Sequence, residues 1–335
     1  MHLSEFDYEL PPEFIAQEPL PERDKSKLLV LHKDTGEIEH RRFFNLPEYL
    51  RPGDLLVMND TQVTALRLRG AKPTGGKVEA LLLRNLGGNR WDAAVKPGRR
   101  VDVGSTVLFG DLSAQVLERT EGGGRILDFG DAPGTDEEIR RIGEVPLPPY
   151  IHQILKDVSR YQTVYAAEPG SAAAPTAGFH FTPKLLADVR AMGVKTASVT
   201  LNVGLATFRP VRTSVITDHV MHKEVISIPP ETAQAISSAK GRIISVGTTT
   251  ARALESAAVG KREVAAVDAE TSLFITPGYE FKILDGLITN FHMPKSTLLI
   301  LVSAFTSRDK IMKAYEEAKK QKYRFFSFGD AMLII

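Results

Sequence analysis

Apolar positions change their rhythm twice along the chain. Lys27–Leu31 and Asp54–Met58 carry short, nearly unbroken apolar runs, the pattern of strands covered on both faces. From Ala65 to Phe129 the runs come close together: Val78–Arg84, Thr106–Phe109, Ser113–Glu118 and Arg125–Asp128. Glycine-rich turns at Gly75-Gly76, Gly87-Gly88-Asn89 and Gly122–Gly124 separate them. Such spacing predicts a small all-β barrel or sandwich, ending at the stiff stretch Val145-Pro146-Leu147-Pro148-Pro149-Tyr150. Beyond Tyr150 helical and strand periods alternate. Thr182-Pro183 reads as N-cap and first residue of a helix with Leu185, Leu186, Val189 and Met192 on its apolar face, stopped by Gly193. A strand at Lys195–Leu201, a helix at Pro230–Lys240 and a strand at Arg242–Val246 follow, the last entering a helix through Gly247-Thr248-Thr249-Thr250. Leu287–Asn290 then predicts a strand, the region around Lys295–Phe305 a helix, and Asp309–Gln321 an amphipathic terminal helix. The expected architecture is a mixed α/β main domain, discontinuous in sequence (1–61 and 151–335), with an all-β barrel domain inserted at 62–150.

Composition narrows the function classes. A chain that is 43% hydrophobic and 25% charged is globular, neither disordered nor fibrous. It has no cysteine, which excludes disulfides, thiolate zinc sites, a cysteine nucleophile and cysteine-held iron–sulfur clusters. The acidic start MHLSEFDYELPPEF is unlike a signal peptide, and the longest apolar run, Leu298–Val302, is far too short to span a bilayer. A cytoplasmic location without membrane contact is expected. Net charge is only +1, yet it is unevenly spread. Gln62–Arg100 holds nine Lys/Arg against two acids, and Val101–Tyr150 holds four against ten. The first stretch suits a polyanion and the second repels one; two solvated faces of one β domain fit the same counts.

Candidate chemistry gathers in the second half. Val246-Gly247-Thr248-Thr249-Thr250-Ala251-Arg252 is a strand–turn–helix whose free N–H groups and hydroxyls suit a carboxylate or phosphate, or a plainly capped helix. His180, between two rings in APTAGFHFT and just before a helix start, suits a neutral base or a structural imidazole. Asp218-His219-Val220-Met221-His222-Lys223-Glu224 packs histidines and acids together, but no third ligand stands at diagnostic metal spacing, so substrate contacts or a surface turn are favoured over a metal. His292, Lys295 and Ser296 stand where a strand end meets a helix start, the place where α/β folds assemble sites. Tyr323–Asp330 mixes aromatics with Arg324, suited to base stacking or to plugging the core. No P-loop, nucleophile elbow or dinucleotide fingerprint is present.

Taken in order, APTAGFHFT, VGLATFRPV, HVMHKE, VGTTTARALES, LFITPGYEF, LITNFHMPKSTLL and YRFFSFGDAML, with FDYELPPEFIAQEP, GDLLVMNDT, VKPGRR and RYQTVYA before them, resemble the motifs of the S-adenosylmethionine:tRNA ribosyltransferase-isomerases of queuosine biosynthesis. The resemblance covers nearly the whole chain. It implies transfer and isomerisation of the ribosyl group of S-adenosylmethionine onto 7-aminomethyl-7-deazaguanine at the tRNA wobble position, giving epoxyqueuosine with loss of adenine and methionine. It implies S-adenosylmethionine as co-substrate, no metal or other cofactor, and a discontinuous α/β domain with an inserted β-barrel. That chemistry needs a neutral base for the C5′ proton, expected at His180 or His292, with Glu224 and the His219/His222 pair nearby. Thr248, Thr249 and Arg252 would hold a carboxylate or phosphate, with Arg209 and Lys295 as further anion contacts. Arg67, Arg69, Lys72, Lys96, Arg99 and Arg100, extended by Arg324, would contact tRNA. A monomer is expected. The chain departs from the family pattern at Thr64-Ala65, Asn202, Ala206 and Ser272, which keeps open the alternative of a tRNA-binding paralogue with impaired catalysis.

Overall fold

The computed structural model describes residues 1–120, 122–204 and 211–335. The chain divides into two compact units, one made of Met1–Thr61, Pro149–Glu168 and Ala174–Ile335, the other of Gln62–Pro148 and Pro169–Ala173. The fold is mixed α/β with an inserted antiparallel barrel.

The first unit is built on a nine-stranded sheet, in the order Val267–Thr271, Glu224–Ile228, Lys195–Leu201, Leu55–Asn59, Ile243–Val246, Gly286–Asn290, Ala331–Ile334, Lys27–Leu31, Ile38–Arg42. Its middle strands, from Lys195–Leu201 to Gly286–Asn290, run parallel. The sequences Leu55–Asn59, Ile243–Val246 and Gly286–Asn290 are buried throughout, which is why they read as continuous apolar runs. Helices cover the sheet and bury Phe181, Leu185 and Val189 against Leu56, Ile244 and Ile288. Each such side chain contributes about 1.5–3 kcal/mol of transfer free energy.

Helix starts follow the capping residues. Thr182 Oγ1 accepts from the Leu185 N–H at 3.1 Å, with Pro183 as first helical residue. The helix Thr297–Phe305 begins after, not at, Lys295, because Lys295 is left-handed (φ 55°) and Ser296 provides the cap, accepting from Leu299 N–H at 3.2 Å. The terminal helix Arg308–Lys320 is capped by Ser307. The Leu55 strand starts one residue later than its apolar pattern, because Asp54 is a lock: its carboxylate accepts from Arg242 N–H at 2.8 Å and Arg242 Nη2 at 2.6 Å. Burial pushes the Asp54 carboxyl up, but these Arg242 contacts outweigh it and hold it below the usual range.

The outer strands Ile38–Arg42, Glu224–Ile228 and Val267–Thr271 are half-polar and pair antiparallel. The last residues, Ala331–Ile334, form a fully buried strand inside the sheet, antiparallel to Gly286–Asn290 and parallel to Lys27–Leu31.

The second unit is a closed six-stranded barrel, in the order Arg125–Asp128, Arg90–Lys96, Lys77–Gly87, Leu66–Ala71, Thr106–Phe109, Leu112–Arg119. Closure removes the unpaired edges an open sheet of this size would expose. Leu68, Leu82, Trp91, Val107 and Leu127 fill it. A helix at Thr135–Ile142 buries Ile139 in the same core. Its acidic first turn and basic last turn complement the helix dipole.

Candidate active site

The parallel strands end at Leu201, Asn59, Val246 and Asn290. Beyond those carboxyl ends lies a pocket of about 70 Å³, lined among others by Thr176, Val203, Thr248, Thr249, Asn290 and His292. Its position is the one α/β sheets use for ligands. Tyr150 and Phe326 wall one side, their rings 4.8 Å apart.

Gly247 turns the chain from strand to helix at φ 95°, a conformation that disfavours a side chain. The helix Thr248–Ser256 starts there without a side-chain cap, so its first N–H groups are presented where Thr248 and Thr249 line the pocket. Asn59 braces this point and was not anticipated. Its Nδ2 donates to Leu201 O at 3.0 Å and Thr249 Oγ1 at 3.3 Å, while its Oδ1 accepts from the N–H groups of Leu201 and Thr61. Asn202, one of the departures from the family pattern, accepts from Thr61 Oγ1 at 2.7 Å.

The two candidate bases are placed differently. Thr176 Oγ1 donates to Asn290 Oδ1 at 2.8 Å, which turns the Asn290 amide NH₂ toward His180 Nε2, 3.3 Å away. Nε2 is therefore the acceptor, and Nδ1–H donates to Ser26 Oγ at 2.8 Å. Both His180 nitrogens are used, and the ring lies on Phe43 with centroids 5.0 Å apart. His292 lines the pocket itself. Its Nε2 meets Thr289 Oγ1 at 2.7 Å, its backbone N–H donates to Tyr315 Oη at 2.9 Å, and its carbonyl accepts from the Tyr8 hydroxyl. Among the described residues Nδ1 has no partner. With Nε2–H donating to Thr289, Nδ1 is the nitrogen that keeps a lone pair.

Burial pushes His180 down to about 3, aided by Arg324 and Arg23, and pushes His292 down to about 3 by itself. Both rings are neutral when folded, whereas an unfolded histidine protonates near 6.5. Below that value the unfolded chain binds more protons, so stability from both rings is complete above pH 6.5 and is lost as pH falls toward 3. Each ring is expected to contribute a loss of about 2 kcal/mol between pH 7 and 5, measurable by urea unfolding, where most carboxylates stay ionised. A His180→Gln/His292→Gln chain should show a much flatter profile; an equally steep one would remove the histidines as its cause.

Glu224 sits apart from this pocket's lining. It is paired with Arg252 Nη1, accepts from the Gly204 N–H at 3.1 Å, and lies 3.2 Å from His222 Nε2. Burial would raise its carboxyl, but His222 and Arg252 hold it below the usual range. Arg252 turns toward Glu224 and the Leu273 carbonyl (3.2 Å), away from Thr248 and Thr249. Its Nη2 is buried and has no partner among the described residues. His219 stands edge-on to Phe274, centroids 5.4 Å apart. Lys295 is paired with Asp7 at 2.5 Å. Arg209 and Ala206 lie outside the described residues. No group of three His, Asp or Glu side chains converges on a metal-sized site among the described residues.

On the barrel, strand alternation puts Leu68 inside and Arg67 and Arg69 outside. Register aligns Arg69, Glu79 and Lys96 across adjacent strands, and Arg69, Lys77 and Lys96 line an open groove. Arg69 reaches Glu144 at 3.1 Å, while Arg67 Nε is 3.9 Å from Glu79. Lys72 Nζ donates to the Arg100 carbonyl at 2.8 Å; Arg99 and Arg100 are exposed. Arg324 belongs to the first unit, where it lines a small cavity with Arg23, Arg160 and His180.

A helix N-terminus and a buried neutral imidazole line one pocket beyond a parallel sheet, the place where α/β folds assemble sites. The family model described as "Queuosine biosynthesis protein" matches residues 3–334, and the chain belongs to that family. It is 52% identical over 342 residues to the S-adenosylmethionine:tRNA ribosyltransferase-isomerase of Moorella thermoacetica, and 53% over 340 residues to that of Carboxydothermus hydrogenoformans, covering 100% of both chains in each case. The crystal structure of the S-adenosylmethionine tRNA ribosyltransferase from Thermotoga maritima is similar at a TM-score of 0.56 and 41% identity, over 99% of this chain and 100% of that one.

Proposed function

We propose that this chain transfers the ribosyl moiety of S-adenosylmethionine to 7-aminomethyl-7-deazaguanine at the tRNA wobble position and isomerises it, giving epoxyqueuosine with release of adenine and methionine. The observation that carries the reading is full-length identity above one half to relatives bearing that activity's name. The pocket supports it. His292 is the proposed base for the C5′ proton, which the adjacent sulfonium acidifies. The N–H groups at Thr248 and Thr249 are the proposed seat of the methionine carboxylate. His180 holds Asn290 in place. The proposed setting is the cytoplasm and the proposed acting species a monomer.

Mass spectrometry of tRNA carrying the aminomethyl base, after incubation with the protein and S-adenosylmethionine, tests the reading. The expected result is an epoxyqueuosine mass with one adenine released per modified tRNA. Tight tRNA binding without adenine release would instead indicate a paralogue without catalysis, and a methylated product a different transferase.

The barrel's Arg69, Lys96, Arg99 and Arg100 are the proposed tRNA contacts. Charge reversal of Arg99 and Arg100 together is expected to weaken tRNA binding about 10-fold or more at moderate salt. It should also flatten the log–log salt dependence by roughly 0.7–0.9 per lost phosphate contact. Unchanged affinity in a filter-binding titration would remove this face from the interface.

A further inference from the structure

A second, small cavity in the first unit, about 20 Å³, is separate from the pocket that holds His292. Arg23, Arg160 and Arg324 line it together with Ser26, His180 and Ser327. Two of these guanidinium groups, those of Arg23 and Arg160, are held by neutral acceptors, while Arg324 is also ion-paired with Asp330. Arg23 donates to the carbonyls of Phe179 (3.2 Å), Ser159 (3.3 Å) and Gln162 (2.9 Å). Arg160 donates to those of Leu20 (2.6 Å) and Pro21 (3.2 Å), and Arg324 to that of Glu18 (3.3 Å). Carbonyls orient a guanidinium without cancelling its charge. The buried acid at hand, Asp330, uses its oxygens on the backbone N–H groups of Lys27 (2.9 Å) and Arg324 (2.7 Å) and stands 3.7 Å from Arg324 Nη2. Arg160 Nε is buried with no partner among the described residues. Asp157 is the acid acting on Arg23 and on Arg160, and it is exposed.

Cations converging on a partly buried cavity repel one another unless an anion joins them; burial and Arg160 both weigh against the charged form of Arg23. Fixed planar donors of this kind match the oxygens of a phosphate. The cavity adjoins the main pocket: Ser327 lines both, and His180 on one side is bonded to Asn290 on the other.

We propose that the Arg23–Arg160–Arg324 cavity is an oxyanion subsite that receives a backbone phosphate of the tRNA next to the nucleotide whose base enters the main pocket. This rests on the functional reading above. The phosphate fixes the strand, so the subsite contributes to RNA affinity and register, and His180 carries its position to Asn290.

The test is equilibrium binding of tRNA to the full-length protein and its Arg160→Gln, Arg160→Lys and Arg324→Gln variants across a salt series, with thermal unfolding of each. Arg160→Gln and Arg324→Gln are each expected to bind about 10-fold more weakly and to flatten the salt slope by roughly 0.7–0.9. Arg160→Lys should recover part of the affinity, and the KM for S-adenosylmethionine should stay within about twofold, since the contact is to RNA. Two variants are used so that a folding defect in one leaves the other to decide. Unchanged tRNA affinity and slope in a folded variant would overturn the proposal. So would a raised KM for S-adenosylmethionine with tRNA binding intact, which assigns the cavity to the methionine carboxylate. Stabilisation of the wild type by inorganic phosphate, lost in Arg160→Gln without any change in tRNA binding, would assign it to a free ion and equally overturn it. Binding needs no turnover, so failure of the wild type to modify tRNA counts against the proposed reaction and not against this subsite.

Discussion

His292→Ala is expected to lower kcat by about 10²–10⁴-fold while tRNA affinity stays within about twofold, because general-base catalysis contributes on that scale and the ring touches no proposed RNA contact. The geometry separates this histidine from His180. His292 lines the pocket and its Nδ1 has no partner among the described residues, whereas both His180 nitrogens are engaged, by Ser26 and Asn290. Removing His180 leaves two buried polar groups unpaired, at about 1–3 kcal/mol each, and empties a space beside Phe43. The expected signature of His180→Ala is therefore a lowered unfolding midpoint, with any loss of turnover following from the displaced Asn290. Burial pushes the His292 ring down to about 3, so the acidic limb of kcat/KM, which reports the free enzyme, should not show a histidine titrating between pH 6 and 7. Single-turnover adenine release with both variants decides the matter. Near-normal rates in His292→Ala, with a stable but inactive His180→Ala, would reverse the assignment.

That distinction was not legible in the sequence, although the two histidines were. APTAGFHFT and LITNFHMPKST each set a histidine at an element boundary, and the pattern of apolar runs located the parallel strands whose ends carry them. Which ring faces the pocket depends on Asn290, Thr176 and Ser26, residues from three distant segments brought together only by the sheet order. Asn59 was missed for a related reason: it ends an apolar run in GDLLVMNDT, and its worth lies in bonds to Leu201 and Thr249. The barrel helix at Thr135–Ile142 escaped because TDEEIRRI has too few apolar residues to show a period, while its end charges carried the signal. The half-polar outer strands were lost likewise, since Ile38–Arg42 and Val267–Thr271 are not buried on both faces. Arg324 is a different case: the sequence marks it as cationic, and only the fold shows that its side chain lines a cavity with Arg23 and Arg160. Charge along a sequence tells which residues are cationic; only the fold tells which of them converge.

Breaking the Glu224–Arg252 pair is expected to be the most destabilising single change in the first unit. Their side chains are 1% and 6% exposed, so neither charge has water to fall back on. Arg252→Ala strands a buried carboxylate beside His222, and Glu224→Ala strands a guanidinium whose Nη2 already has no partner among the described residues. Each is expected to cost about 3–5 kcal/mol, read as a lower urea midpoint at an unchanged m-value. Replacing both with apolar residues of similar volume, as in Glu224→Met/Arg252→Met, should restore most of the loss, because desolvating two charges consumes much of what their attraction supplies. A single-variant loss below about 1 kcal/mol would mean that water reaches the pair. Glu224 also has its carboxyl held below the usual range, so its stabilisation is present above the unfolded value near 4.3 and fades as pH falls below it. The double variant then separates architecture from chemistry. If it is stable and still releases adenine at a rate near that of the wild type, the carboxylate's work is to fix Gly204 and the Arg252 helix. If it is stable but about 100-fold slower, a loss on the scale of general acid–base catalysis, Glu224 takes part in proton transfer alongside His292.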